Sequence, residues 1–338
     1  MRIGLVLAAG GSVGVAYHGA VMAALEQATG WDPRQAEVVV GTSAGSLTAA
    51  MLRAGVPAGD LARISEGAPL SEEGARLATR GRPRRPRPGL LDVLAFRPVS
   101  DLAVVLQALR RPWTVPPRAL ALAAMPAGGI PTTAISDGID ALYEGAWPEK
   151  ALWLCSYDLR AGRRVVFGQA GSPPALVGGA VAASCAVPGY FRPVSIDGRR
   201  YVDGGVHSMV NLDLVAGLGL DLVIAVSPLS QAAAWGVPSP ALVMRRPLRA
   251  RLGAEVAALE RAGVAVVAIQ PGRRVTSAMG FNPMDAARRG AVSRATRAGV
   301  RRWLAEGVQG RQLTRLLKAE AARSPRAERP APARRGTA

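Results

Sequence analysis

Two strand–turn–helix units follow one another at the start of the chain, and this arrangement constrains the fold more than any other feature. Residues 3–8 are apolar and predict a buried strand, which a glycine-rich turn connects to a helix over 15–27. Residues 38–40 predict a second buried strand, and a second glycine-containing turn leads into a helix over 46–53. Because parallel strands need a crossover connection, the repetition predicts a parallel sheet covered by helices.

The middle of the chain interrupts this pattern. Residues 57–150 contain helical apolar spacing, as at Leu102, Leu106 and Leu109, and an Arg/Pro loop over 80–89. We interpret this stretch as a helical insertion that caps a pocket. Later apolar runs predict that the sheet then resumes, at residues 152–157, 165–167, 201–202, 222–226 and 264–269. Helical patterns separate and follow these runs, at residues 176–183, 250–261 and 281–305.

Basic residues outnumber acidic residues, 42 to 24, which gives the chain a net charge of +18. They cluster in the Arg/Pro loop and in the tail over 311–338. The loop arginines are Arg80, Arg82, Arg84, Arg85 and Arg87. Such clusters favour an anionic partner, and we expect a membrane surface rather than nucleic acid. A solvated surface without a partner is the alternative, and the Pro-, Ala- and Arg-rich residues after about 322 are predicted to be disordered.

Length and cysteine content bound the class of protein. A chain of 338 residues with 49% apolar residues has enough material for one large α/β domain and is not globally disordered. No apolar run approaches the ~18–20 residues of a transmembrane helix. The N-terminal apolar run is short and enters a glycine turn, so we interpret it as a strand rather than an export signal. Cys155 and Cys185 are too few for a disulfide framework and predict a reducing cytoplasm, although they could pair with each other.

Gly41-Thr42-Ser43-Ala44-Gly45 is the sharpest candidate for chemistry. It has the form G-x-S-x-G and lies between the second predicted strand and the helix that follows. Its two glycines allow a tight turn that exposes the Ser43 hydroxyl, and the helix N-terminus would stabilise a developing oxyanion. The pattern alone is weak, and an ordinary structural turn is equally compatible with it.

Residues 10–14, with the sequence GGSVG, are the second glycine turn, and three interpretations stay open at this point. As a dinucleotide fingerprint, the turn lacks the acidic residue at the end of the second strand that would bind a ribose. As an oxyanion hole, its backbone N–H groups would lie next to Ser43 at the end of an adjacent strand. The third interpretation is a plain strand–helix turn.

Asp203-Gly204-Gly205 follows an apolar strand, and an aspartate in that place reaches into a site with little steric cover. An ordinary aspartate has a pKa near ~3.9 and is a poor base for a serine, but burial raises such a pKa. A β-turn is the alternative. A Ser–His–Asp triad has only two histidines to draw on. His18 lies on the apolar face of the first helix and is predicted to be a core residue, whereas His207 could assist at the site.

Taken together, these blocks resemble the patatin-like phospholipase family. Residues 5–25 resemble the family's glycine-rich block, residues 41–46 its nucleophile elbow, and residues 203–205 its D-G-G/A motif. Residues 183–194 are similar to the family segment that precedes this aspartate. The matches occur in order and span roughly residues 3–225, which makes them far more specific than any single block.

The resemblance implies a three-layer α/β/α sandwich with a mostly parallel central sheet. It implies a serine acyl hydrolase with Ser43 as nucleophile and Asp203 as proton acceptor, and without a catalytic histidine, a metal or an organic cofactor. The implied oxyanion hole consists of Gly10, Gly11 and Ser12, and the supporting motif glycines are Gly14, Gly41, Gly45, Gly204 and Gly205. Two positions depart from the family pattern: Ala9 replaces its first glycine, and Val13 stands where Arg or Lys is frequent.

We therefore predict a cytoplasmic acyl-ester hydrolase for a lipid or lipid-like ester, with a catalytic domain over 1–310 and a basic tail over 311–338. The main alternative is a catalytically weak or inactive patatin-fold binding protein whose basic segments contact anionic lipid or nucleic acid. A nucleotide-dependent oxidoreductase is a third possibility. A thioesterase or transacylase would use the same site as the hydrolase.

Overall fold

The computed structural model describes residues 1–80, 99–231 and 240–323, and within them eight strands form one mixed sheet. The strands are β1 Ile3–Leu7, β2 Val38–Thr42, β3 Ala151–Asp158, β4 Arg163–Phe167, β5 Val194–Ile196, β6 Arg199–Asp203, β7 Leu222–Val226 and β8 Ala265–Ile269. Their order is β5-β6-β3-β2-β1-β7-β8, and β4 pairs with β3.

Five parallel strands form the centre of this sheet. β1 lies between β2 and β7, β3 extends the sheet beyond β2, and β8 extends it beyond β7. β1, β2 and β7 are buried along their whole length, as expected for parallel strands covered on both faces. β4 and β6 run antiparallel to β3, and β5 runs antiparallel to β6. The predicted, mostly parallel sheet is confirmed.

Helices and turns cover both faces of the sheet. The helices are α1 Gly11–Thr29, α2 Ala44–Arg53, α3 Ala58–Glu66, α4 Glu72–Arg80, α5 Leu102–Arg110, α6 Pro117–Ala124, α7 Thr133–Tyr143, α8 Val177–Ser184, α9 Pro240–Arg261, α10 Arg273–Met279, α11 Arg289–Glu306 and α12 Val308–Arg323. Alternate side chains of β1 point to opposite faces. Leu5 and Leu7 join a core with α1, α2, α8 and α11, whereas Val6 packs with α9 on the other face. This arrangement confirms the three-layer α/β/α sandwich.

The described elements between β2 and β3 are all helical, in agreement with the predicted helical character of this stretch. The loop arginines from Arg82 onward lie outside the described residues, so the predicted role of the loop stays a prediction. A cavity of about 250 Å³ lies where α3, α4 and α7 meet. It reaches α2 at Met51, which lies toward the C-terminal end of that helix, whereas Ser43 directly precedes its first residue.

The described part of the basic tail, up to residue 323, is helical. Leu313 and Leu317 of α12 are fully buried in the same core as α1. Residues after 323 lie outside the described part of the chain, so their predicted disorder stays a prediction, as does the domain boundary at 310. None of the helices in the described ranges is both long and apolar enough to cross a membrane.

β3 brings the ends of β2 and β6 together, and this pairing positions the candidate site. Its first half pairs with β2, up to Cys155 opposite Thr42. Its second half pairs with β6, beginning with Ser156 opposite Asp203. Ser43 follows Thr42 directly. Two adjacent residues of β3, Cys155 and Ser156, therefore pair with the residue before Ser43 and with Asp203 itself.

Candidate active site

Ser43 lies on a sharp turn between β2 and α2. Its backbone has φ 54° and ψ −120°, in the left-handed region that non-glycine residues rarely adopt. A Cβ on Gly41 would lie 2.5 Å from Ser46 Cα, and a Cβ on Gly45 would collide with the carbonyl oxygen of Leu7. Both glycines are therefore required by close backbone approach, which is the reason the G-x-S-x-G spacing produces this turn.

The backbone of Ser43 is fixed from both sides. Its N–H donates to Ser184 Oγ at 2.9 Å, and Ser184 Oγ in turn donates to the carbonyl oxygen of Cys155 at 2.6 Å. Its carbonyl oxygen accepts hydrogen bonds from Ser46 Oγ at 2.6 Å and from Cys185 Sγ at 3.3 Å. These bonds compensate for a strained conformation, because they hold a residue in a backbone region that costs of order 1–3 kcal/mol.

Asp203 lies at the end of β6 and is almost fully buried, at 5% exposure. The Ser43 side chain lies close enough to its carboxylate to lower the pKa, and Gly205 N–H donates to Oδ1 at 2.7 Å. Burial raises the pKa of Asp203 to about 6, although the contacts with Ser43 and with Gly205 N–H act to lower it. The carboxyl group therefore changes its protonation state close to neutral pH, as a general base requires.

The two glycines after Asp203 let the chain pass close to its neighbours. A Cβ on Gly204 would collide with the carbonyl oxygen of Cys155, and a Cβ on Gly205 would lie 2.9 Å from Asp203 Oδ1. Gly205 also lies close to Ala9, since its Cβ would come within 3.6 Å of Ala9 Cβ. The sequence Asp-Gly-Gly thus brings the carboxylate beside the first glycine turn.

The first glycine turn begins α1 and lies next to the Ser43 turn. Gly11 has φ 62°, and a Cβ there would lie 2.6 Å from the carbonyl oxygen of Pro283. A Cβ on Gly14 would contact Ala44 Cβ at 3.3 Å, which places α1 directly against the start of α2. No acceptor from the described residues bonds the backbone N–H of Gly11 or Ser12. Gly11 and Ser12 are the first residues of a 19-residue helix. The first N–H groups of a helix have no partner within it, and they lie at the positive end of the helix dipole.

Neither histidine takes part in these contacts. His18 is fully buried in α1, and burial lowers its pKa to about 3, which keeps the imidazole neutral. The predicted core position of His18 is confirmed. His207 is less buried, and within the described ranges the contacts that lower the pKa of Asp203 come from Ser43 and Gly205 rather than from an imidazole.

Three positioning residues lie outside the three motifs that contain the candidate catalytic and oxyanion-hole residues. Ser184 links the Ser43 backbone to β3, and the segment 183–194 that carries the family resemblance is the only sequence signal that includes it. Asn211, at φ 62°, donates from Nδ2 to Thr42 Oγ1 at 3.0 Å and so ties the end of β2 to the loop after Asp203. Pro283 accepts a hydrogen bond from Val13 N–H at 3.1 Å beneath the glycine turn. All three contacts join segments distant in sequence.

The two cysteines are buried free thiols, and burial raises the pKa of each to about 12. They stay protonated at neutral pH, and only Cys185 contacts the Ser43 backbone. Across residues 1–80, 99–231 and 240–323, no group of three or more His, Cys, Asp or Glu side chains is arranged to hold a metal ion.

In this α/β sandwich, a serine turn, a buried aspartate and a helix N-terminus meet at one edge of the sheet. This combination defines a recognisable class of protein. A model of the family described as patatin-like phospholipase matches residues 5–216, which is more than half of the chain. The chain belongs to this family, and the family is one of lipid hydrolases.

Three curated relatives are each described as an uncharacterized NTE family protein. One comes from Mycobacterium bovis and two come from strains of Mycobacterium tuberculosis. Each is 43% identical over 70 residues, which are 21% of this chain and 18% of the relative. The match thus spans less than a fifth of each relative's length.

Two solved structures are similar at low identity. VipD from Legionella pneumophila is 16% identical, with a TM-score of 0.41 and coverage of 93% of this chain and 67% of that chain. The type III effector protein ExoU is 19% identical, with a TM-score of 0.33 and coverage of 95% and 62%. Both TM-scores are low, so the fold assignment rests on the sheet described above and on the family match.

Proposed function

We propose that this protein is a serine acyl hydrolase in which Ser43 is the nucleophile and Asp203 is the proton acceptor. The observation that carries the proposal is the proximity of the Ser43 side chain, on its strained turn, to the buried Asp203 carboxyl group, whose pKa of about 6 it acts to lower. A nucleophilic serine needs an adjacent base within hydrogen-bonding reach, and Asp203 is the group in that place.

In the proposed reaction, the Ser43 Oγ–carbon bond forms as the Ser43 proton moves to the Asp203 carboxylate. The carbonyl oxygen gains negative charge, and the backbone N–H groups of Gly10, Gly11 and Ser12 stabilise it together with the α1 dipole. The intermediate collapses as the ester C–O bond breaks, and the leaving alkoxide takes the proton from Asp203. Water then attacks the acyl-enzyme, gives its proton to Asp203, and the carboxylic acid leaves as that proton returns to Ser43 Oγ.

The proposed substrate is a lipid or lipid-like ester, which follows from the family rather than from a bound molecule. Hydrolysis of a thioester, or transfer of the acyl group to an alcohol, would proceed through the same steps as far as the acyl-enzyme. We also propose a cytoplasmic location, peripheral contact with an anionic membrane, and a catalytic domain over residues 1–310.

A fluorophosphonate probe tests the proposal directly. It phosphonylates an activated serine, and we expect mass spectrometry to locate the adduct on Ser43 of the native protein but not of heat-denatured protein. Failure of the native protein to react, with a known serine hydrolase labelled in parallel, would favour the alternative of a patatin-fold binding protein. An adduct on another serine would move the nucleophile elsewhere.

The labelling rate of Ser43 is expected to fall about tenfold between about pH 7 and pH 5. Asp203 accepts a proton only in its carboxylate form, and its pKa of about 6 means that this form is lost as the pH falls through that value. Rates measured at several pH values, with circular dichroism as a check on folding, give the profile. A rate that stays constant from about pH 5 to pH 8 would remove Asp203 as the base.

His207→Ala is expected to keep ester hydrolysis within about threefold of wild type. The carboxylate of Asp203 is engaged by Ser43 and Gly205, so no imidazole is needed to receive the serine proton. The matched variant His18→Ala should lower thermal stability, because it removes a fully buried ring, while the folded fraction keeps its turnover. If His207→Ala lost activity as completely as a change at Asp203, the pair would be part of a triad.

A further inference from the structure

A row of apolar side chains on α5 faces solvent. Leu102, Leu106 and Leu109 are 56%, 42% and 76% exposed. Their spacing of four and three residues puts them on one side of the helix. Trp113, in the turn directly after the helix, is 81% exposed. We call these four residues the α5 face; large apolar side chains that stay exposed together mark a contact surface.

The α5 face is not needed to hold the helix in place. The opposite side of α5 carries Val104 and Ala108, which pack against Val115, Ala119 and Ala123 in a small core of their own. The N-terminus of α5 is capped by the Asp101 carboxylate, which accepts hydrogen bonds from the next backbone N–H groups. The buried side of α5 and the Asp101 cap therefore hold the helix in place, and the exposed leucines are available to contact a partner.

Positive charges flank the α5 face. Arg110 and Arg111, at the C-terminal end of α5, are exposed, and neither forms an ion pair with a carboxylate of the described residues. Arginine side chains beside an apolar row can reach lipid phosphates while their stems lie along the interface. A tryptophan is also typical of the boundary between headgroups and acyl chains.

The α5 face belongs to a unit that is attached close to Asp203. Leu122 of α6 and Val206 both pack against a small cluster that contains Val202, the residue directly before the aspartate. Asp101 N–H donates to the carbonyl oxygen of Ala123, which connects the start of α5 to α6. A partner that binds the α5 face would therefore lie near the end of β6, where the candidate site is located.

The size of the α5 face selects the kind of partner. A helix of nine residues is only ~14 Å long. A stable protein interface needs ~20–30 residues on each side, which four side chains do not supply. A bilayer interface requires only a short apolar row bordered by basic residues.

We propose that the α5 face binds the surface of a bilayer that contains anionic lipid, and so holds membrane-borne ester next to Ser43. The second half of this statement rests on the proposed hydrolase function; the first half does not. The apolar side chains enter the acyl boundary, and Arg110 and Arg111 contact the lipid phosphates.

Vesicle co-sedimentation of the full chain tests the proposal, in a Ser43→Ala background so that no lipid is consumed. The variant is Leu109→Gln/Trp113→Gln, and the matched control is Val308→Gln/Leu316→Gln, two exposed apolar residues on α12. With vesicles of phosphatidylcholine and phosphatidylglycerol, we expect the first variant to lower partitioning about tenfold or more and the control to leave it unchanged. Arg110→Gln/Arg111→Gln should weaken binding at low salt and much less at high salt.

Equal vesicle binding by the α5 variant and its control overturns the proposal. The proposal is also overturned if the α5 variant loses self-association in solution and is otherwise unchanged. Circular dichroism and turnover of a soluble p-nitrophenyl ester, measured without the Ser43→Ala change, show that the α5 variant is folded. If that turnover is normal and binding is unaffected, the membrane face is wrong and the hydrolase stands. If Ser43 is not labelled by the fluorophosphonate but binding depends on the α5 face, the hydrolase is wrong and the membrane face stands.

Discussion

Ser43→Ala is expected to lower hydrolysis of a short p-nitrophenyl ester by at least about 10³-fold, with the fold unchanged. The substitution removes Oγ, the atom that would form the acyl bond. It keeps the backbone N–H that donates to Ser184 and the carbonyl oxygen that accepts from Ser46, so the strained turn retains its support. Initial rates with purified protein and thermal unfolding of the same samples measure the two effects separately.

Ser65→Ala is the matched control for this experiment. Ser65 is also a buried serine, but among the residues that the structure describes its hydroxyl bonds only to the carbonyl oxygen of Leu61 in its own helix. We expect it to leave the rate within about twofold of wild type. Residual activity of Ser43→Ala above about a tenth of wild type, in protein free of contaminating esterase, would assign the nucleophile to another residue.

Asp203→Asn is expected to lose almost as much activity as Ser43→Ala, by about 10³-fold. The asparagine side chain has the same shape and its oxygen can still accept the hydrogen bond from Gly205, but it cannot take up the serine proton. The substitution therefore separates the base from the architecture around it. Any activity that remains should no longer fall as the pH drops through about 6.

Asp197→Asn provides the comparison for Asp203. Asp197 is an exposed residue with φ 48° in the turn between β5 and β6, and asparagine accepts that backbone conformation well. Normal turnover by Asp197→Asn would show that the loss at Asp203 does not come from disturbing the hairpin. Turnover by Asp203→Asn above about a tenth of wild type would mean that water or another group removes the proton.

The central strands are predictable from sequence because they are buried on both faces. A strand such as β7 has no polar side to interrupt its apolar run, and its predicted limits at 222 and 226 agree with the structure. β5 is different, since it has three residues with an exposed serine between Val194 and Ile196. A segment this short carries no periodic signal, and only its pairing with β6 makes it a strand.

At the site, sequence reasoning finds the residues whose roles are local and misses those whose roles depend on distant contacts. The glycines around Ser43 follow from the geometry of one turn. Ser184 supports that turn from 141 residues away, and a serine at the end of an alanine-rich helix gives no sign of this role. The pKa of Asp203 is likewise a consequence of burial, which the fold determines and the Asp-Gly-Gly motif does not.

The pairing of β2 and β6 with the same strand positions the two candidate residues without using the chain that connects β2 to β3. Residues 54–150 leave from the end of α2 and return at β3, and the spacing of Ser43 and Asp203 is set by two hydrogen-bonded ladders on either half of that strand. Lengthening a flexible connection costs only ~0.6 kcal/mol for each doubling. Within this segment, α3 and α7 belong to the main core, whereas α5 and α6, which carry the α5 face, have a small core of their own. Exchanging α5 and α6 would therefore redirect the proposed chemistry to another surface while leaving Ser43 and Asp203 in place.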